Sequence, residues 1–177
     1  MAPHIVAESV FTSSRSNPAD DCSMVTLHVD GHTFAVQKAL LMDASPVFNA
    51  MFSHDTKEAA SKHVEVKDFD ANTVVAIVAC LNGHLPTSAT AEEIIEMLWL
   101  ADKYFMEAVT LELEAVLIKM VTVDTLFGIT RYASAQSRTR LMARCVHVYC
   151  VADEVVFAPE DFDVKNALIK GMFATRL

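Results

Sequence analysis

The sequence predicts an α+β fold, a small β-sheet surrounded by short helices and followed by an α-helical extension. Strict alternation of apolar and polar residues is confined to the stretch after Met24 and to a short run around Val64. Apolar residues at helical spacing recur from Lys38 onward, and after Val123-Asp124 the strand signals stop. Hydrophobic residues make up 53% and charged residues 21%, with only 4 Gly and 5 Pro, a balance that favours a compact, largely helical globule over a disordered chain. The 177 residues fit one domain, or one domain with a small appendage.

Residues 1–21 hold a weakly apolar patch, Ile5, Val6, Val10 and Phe11, and then the turn-prone run SSRSNPADD. They read as a flexible lead-in with room for one short helix. Val25, Leu27 and Val29 then share one face, Asp30-Gly31 is a turn signal, and Phe34 and Val36 resume the alternation, which makes a β-hairpin. In KALLMDASPVFNAMF, Lys38 to Asp43 is a short helix that breaks at Ser-Pro and resumes at once. Ser45 is placed to cap the second helix, and Pro46 sits at its first position, where a missing N–H costs nothing. Val47, Phe48, Met51 and Phe52 fall on one face of it.

A polar loop, SHDTKEAASKH, leads to HVEVKDF, where Val64 and Val66 alternate with charges as in a half-buried strand. Asp70 caps a helix carrying Val74, Ile77, Val78 and Leu81, and Gly83 ends it. Thr90 and Glu93 form a capping box, beyond which Ile94, Leu98, Ala101 and Phe105 are expected on one buried face, with Met97 and Trp99 in the core. The next helix carries Leu113, Val116, Leu117 and Met120. Leu126, Ile129 and Ala133, then Leu141, Cys145 and Val148, imply paired helices up to about Ala152. From Pro159 a last helix turns Val164, Ala167, Leu168 and Met172 inward.

Charge narrows the partners. Lys and Arg total 14 against 23 Asp and Glu, a formal charge of -9, which argues against nucleic acid and anionic membrane and in favour of protein partners. The start MAPHIVAESVF lacks the basic and apolar runs of a signal peptide, and the longest apolar run, Val74 to Leu81, is too short to span a bilayer. A cytoplasmic or nuclear location is the expectation, with Cys22, Cys80, Cys145 and Cys150 as free thiols.

No signature of a nucleophile with its base, a carboxylate pair or a phosphate cradle is present, so no catalytic residue is assigned. Glu92-Glu93 is explained by the helix dipole at a first turn. The sharpest metal candidate is Cys145-x-His147-x-x-Cys150. At about 100° per residue its three side chains diverge around a helix, and two buried thiols are the better reading. The other histidines, His4, His28, His32, His54, His63 and His84, lie among turns and strand edges with no i, i+4 pair, and read as ordinary surface residues. Neither metal nor cofactor is expected.

Taken together, VTLHVDGHTFAVQKALLMDASPVFNAMF, the strand VEV, a helix ending in NGHLP, and LWLADKYFMEAVTLELEAVL closely resemble a BTB/POZ domain over residues 22–120. VTVDTLFGITRYASAQSRTRLMARCVHVYC resembles the start of a BACK-type helical extension, assigned to 121–177, as found behind this domain in speckle-type POZ and kelch-like proteins. Three positions depart from the pattern. Met24 stands where an Asp is usual, Val36-Gln37-Lys38 replaces Ala-His-Lys, and Leu81-Asn82-Gly83 replaces Tyr-Thr-Gly. The first two alter the base of the charged pocket that many members use.

The resemblance implies a homodimer through apolar residues such as Val10, Phe11, Leu40, Leu41 and Val47, since a two-fold interface uses one patch twice. It also implies a cullin-3 contact, which would make the chain a substrate adaptor of a ubiquitin ligase. In that contact Phe52 closes its helix, Glu58 takes the acidic place in the following loop, Tyr104 lines the groove, and Thr56 stands where a larger apolar residue is usual. Of the adjacent rings of Tyr104 and Phe105, only one can point to the centre of the core, and contact or packing is equally open for Tyr104. The alternative is a scaffold that oligomerises, in transcriptional or structural complexes, without touching a cullin. In either case a further target protein is implied, brought by another chain or by a surface of the two helical parts.

Overall fold

The structure, a computed structural model, describes residues 23–152, 155 and 161–174. Val10, Phe11, Cys22 and the lead-in over 1–21 lie outside them. Strands β1 (Met24–Val29), β2 (His32–Gln37) and β3 (His63–Glu65) form one sheet in the order β2-β1-β3, with β1 antiparallel to β2 and parallel to β3. The hairpin turns on Asp30 and Gly31, both at positive φ (46° and 75°), the backbone that a two-residue turn between right-twisted strands requires. Val25, Leu27, Val29, Val36 and Val64 point inward from the sheet. On its other face Met24, His28, Thr33, Ala35, His63 and Glu65 are exposed among the described residues.

The corner between helices α1 (Lys38–Ala44) and α2 (Pro46–Ser53) is built as the residues dictate. Ser45 adopts an extended backbone, and its Oγ accepts from the Phe48 N–H at 3.1 Å with Pro46 opening the helix. The expected polar loop after α2 contains instead a short helix, α3 (Lys57–Ser61). Periodicity could not reveal five residues with no buried side chain; the signal was the cap, since Thr56 Oγ1 accepts from the Ala59 N–H at 3.0 Å. Lys62, in the left-handed conformation, closes that helix and leads into β3.

Helix α4 (Ala71–Leu81) starts at Asp70, whose carboxylate accepts from the Thr73 N–H at 2.6 Å, and α5 (Ala91–Lys103) starts at the Thr90–Glu93 capping box. Helix α6 (Glu107–Lys119) follows, then α7 (Leu126–Ala135), α8 (Thr139–Val151) and α9 (Phe162–Ala174). Helix α5 packs on α4, α6 and α7, while α8 packs on α6, α7 and α9, so the extension shares one continuous core with the sheet-bearing part. Ile94, Leu98, Leu113, Leu117, Ile129 and Leu141 form its centre. Trp99 sits at the edge of this core, half-buried and edge-on to Tyr132 of α7 at 5.3 Å.

One expectation fails at the end of α5. Phe105 does not continue the buried stripe; it is 68% exposed, while Tyr104 is 7% exposed. The helix stops at Lys103, and a Schellman motif follows: the Phe105 N–H bonds Asp102 O at 3.1 Å and the Met106 N–H bonds Ala101 O at 2.8 Å. Phe105 occupies the left-handed position at φ 52°, where glycine is usual. That reversal swings its ring out and gives the core place to Met106.

Candidate interaction face

The face is organised around α2. Phe48 is the hub, stacked on Phe52 of its own helix (6.2 Å between ring centroids) and on Tyr104 (4.5 Å, rings 7° from parallel). Ser45 locks the far side: its Oγ–H donates to the Tyr104 carbonyl at 2.5 Å, so one buried hydroxyl both caps α2 and fixes the α5–α6 turn. The break at Ser-Pro therefore aims two elements at once.

Tyr104 thus lies within the stack beneath the surface. Burial pushes its phenol above the ordinary range, and its hydroxyl has no hydrogen-bond partner among the described residues. Lys103 lies over the rings of Tyr104 and Phe69 and pairs with Asp68 at 3.0 Å. Phe52 is buried also, with the Lys38 ammonium over its ring at 5.6 Å. Thr56 is half-buried, and its Oγ1–H donates to Met51 O at 2.5 Å while the same oxygen caps α3. Glu58, in the first turn of α3, is half-buried, and its carboxylate has no partner among the described residues.

Of the residues assigned to self-association, Leu40 and Val47 are half-buried at the rim of the core. Leu41 is 1% exposed and packs inside its own chain, beneath that rim. In the extension, α8 runs unbroken through Cys145, His147 and Cys150, with Cys145 buried and the other two exposed. Burial pushes the Cys145 thiol up, and it pushes that of Cys80 up to about 11.

Sequence reasoning missed a groove of about 860 Å³ at the N-terminal end of α2, walled by Ala44, Pro46, Phe105, Ala108 and Leu111, with Asp43, Glu107, Thr110, Gln136 and the Asp102–Arg138 pair as its polar lining. Leu111 is 53% exposed. A signal existed: Leu111 is an apolar residue two positions from Leu113, about 200° away from the stripe that Leu113 and Leu117 define. Phe105 gave no such sign, because its exposure depends on where α5 ends.

The sequence model of the BTB/POZ domain family matches residues 13–120. TD and POZ domain-containing protein 5 of Mus musculus is 25% identical over 154 residues, covering 86% of this chain and 44% of the relative. TD and POZ domain-containing protein 4 of Mus musculus is 31% identical over 105 residues, covering 59% of this chain and 28% of the relative. The chain therefore spans less than half the length of these curated relatives. Among solved structures, the BTB (Tramtrack and Bric a brac) domain of human Gigaxonin is similar with a TM-score of 0.43 and 18% identity, over 50% of this chain and 72% of that one. With the family match extending over more than half of its length, this chain belongs to the BTB/POZ domain family.

Proposed function

We propose that this BTB/POZ protein-interaction module works as a cullin-3 adaptor, pairing with a second copy of itself and holding a further protein for ubiquitin transfer. The observation that carries this reading is the arrangement around α2. An exposed apolar groove with Phe105 and Leu111 opens at one end, and the Thr56–Glu58 segment lies at the other, about 12 Å away for an eight-residue helix. A helical partner laid along α2 would meet apolar surface and the Glu58 carboxylate in turn, the pattern of a groove-bound helix. In this reading Phe52 and Tyr104 form the floor, and Phe105 is the ring that reaches the partner.

Calorimetry with the purified N-terminal part of cullin-3 is the test. Saturable binding is expected, weakened at least about tenfold in Phe105→Ala and in Glu58→Lys, both partly exposed positions at which the variants should stay folded. No heat at tens of micromolar would reject the adaptor reading. One observation favours the second reading, a scaffold that binds no cullin: Thr56 holds the place of the usual large apolar residue and directs its hydroxyl inward to Met51 and Ala59. Self-association stands apart from both. Light scattering coupled to size exclusion should give about twice the 19.5 kDa of one chain, and a single-chain mass at micromolar concentration would remove the pairing.

A further inference from the structure

His28 on β1 and His63 on β3 are 35 residues apart in sequence, yet they face each other on the open side of the sheet. Nε2 of His28 lies 3.0 Å from Nδ1 of His63, the ring centroids are 5.1 Å apart, and the ring planes meet at 42°. The spacing is set by the ladder. Thr26 is the register partner of His63 and His28 that of Glu65, and the Val66 N–H bonds His28 O at 2.9 Å.

We propose that this pair is a binding site for a divalent transition-metal ion of the zinc or copper(II) class. Both ring nitrogens that face one another are competent ligands in the neutral imidazole. Two nitrogens at about 2.0–2.1 Å from a tetrahedral zinc stand about 3.4 Å apart, so a separation of 3.0 Å needs to open by only about 0.4 Å, within the freedom of two exposed side chains. Without a metal, one ring must turn an N–H toward the other. With one, both lone pairs turn to the ion. Thr33 Oγ1, 3.5 Å from Nδ1 of His28, is placed to take the remaining ring proton and so leave Nε2 as the ligand.

The surroundings favour a cation. Asp30, Glu65, Asp68 and Asp70 line a cleft that includes His28 and Lys67; Asp68 is paired with Lys103 and Asp70 caps α4, so Asp30 and Glu65 are the carboxylates nearest to supplying net negative charge. No set of three or more His, Cys, Asp or Glu side chains converges among those residues, so water completes the coordination. Glu65 currently pairs with Lys67 at 3.3 Å. An ion held by β1 and β3 would clamp a strand of only three residues, and with it the end of α3. Both histidines are exposed, as expected of surface residues; strand pairing, which spacing along the chain does not disclose, brings these two together.

Calorimetry of zinc chloride into the untagged, chelator-stripped chain tests the site. One ion per chain is expected, with affinity at least about tenfold lower in His28→Gln and in His63→Gln. It should be unchanged in His32→Gln, whose ring bonds Asp30 O in the hairpin turn and lies outside the pair. Circular dichroism of each variant establishes that it is folded, and electron paramagnetic resonance of the copper(II) form should show coupling to two nitrogens. Absence of saturable binding overturns the proposal. So does an affinity unchanged from the parent in both His28→Gln and His63→Gln, which would place the metal at other donors such as His147 and Cys150.

Discussion

Phe105 holds a backbone conformation that an L-residue disfavours by roughly 1–2 kcal/mol, and it does so with its ring in solvent, where no packing repays the strain. In the proposed contact such a ring serves the partner and not the fold. Phe105→Gly should therefore raise the unfolding free energy by about 1 kcal/mol in urea titrations while weakening the proposed cullin contact; a loss of stability would show that the ring is anchored after all. Asp70 presents the opposite case, a polar side chain that serves the fold. Hydrogen bonds from Thr73 hold its carboxyl below its ordinary value of 3.8. A carboxyl lowered in the folded state stabilises above its unfolded value and loses that contribution as pH falls through the folded one. Asp70→Ala should cost about 1 kcal/mol at pH 7, and the deficit should shrink as thermal melts are taken below pH 3.8. A deficit independent of pH would mean that the carboxylate charge is irrelevant to the cap.

Among the elements, α2 and α3 show how caps do the work that burial does elsewhere. Helix α3 buries no side chain, so Thr56 Oγ1 and the left-handed Lys62 are what define it. Thr56→Met should destabilise the chain by about 1 kcal/mol through the lost cap, yet tighten cullin binding by about tenfold if an apolar side chain there is buried by the partner. Opposite signs in denaturation and calorimetry would separate the two roles of one position, and loss of both would reduce Thr56 to a cap. Most elements were legible in the sequence because their signals are local: the Asp30-Gly31 turn, the Ser45-Pro46 corner, Asp70, and the Thr90–Glu93 box. What stayed illegible depends on contacts distant along the chain. The inward rotation of Leu41 against other elements, the swing of Phe105 past the end of α5, and the approach of His28 to His63 belong to tertiary geometry. Periodicity extrapolated past a helix end mistook Phe105 for core because the rule that places residue i+4 above residue i stops where the helix does.

At the scale of the whole molecule, the Ala-Asp-Lys-Tyr segment joins the sheet-bearing part to the extension. Asp102 of α5 accepts from the Tyr132 hydroxyl at 2.7 Å and forms an ion pair with Arg138, which precedes α8, while Trp99 packs edge-on against the Tyr132 ring. The Asp102 and Arg138 side chains are both largely withdrawn from water, so removing one charge would leave the other poorly solvated, a costlier change than losing a surface pair. Burial, and then Asp102, push the Tyr132 phenol well above its ordinary value of 10.0. A phenol raised in the folded state contributes stability that is fully present below pH 10 and lost as pH rises beyond it. Tyr132→Phe should cost about 1 kcal/mol at neutral pH, and its thermal midpoint should fall less than that of the parent between pH 9 and pH 11. Asp102→Ala should be more damaging, by about 3 kcal/mol, because it strands the Arg138 guanidinium, whose Nε is already buried without a partner among the described residues. If this cluster fastens the extension to the rest, the parent chain will unfold in a single calorimetric transition and Asp102→Ala will split it in two, with α7 to α9 melting first. A single transition in both proteins, shifted equally, would instead assign the joint to the apolar contacts of α5 with α7 and of α6 with α8, and would leave the ion pair a local feature of the α5 surface.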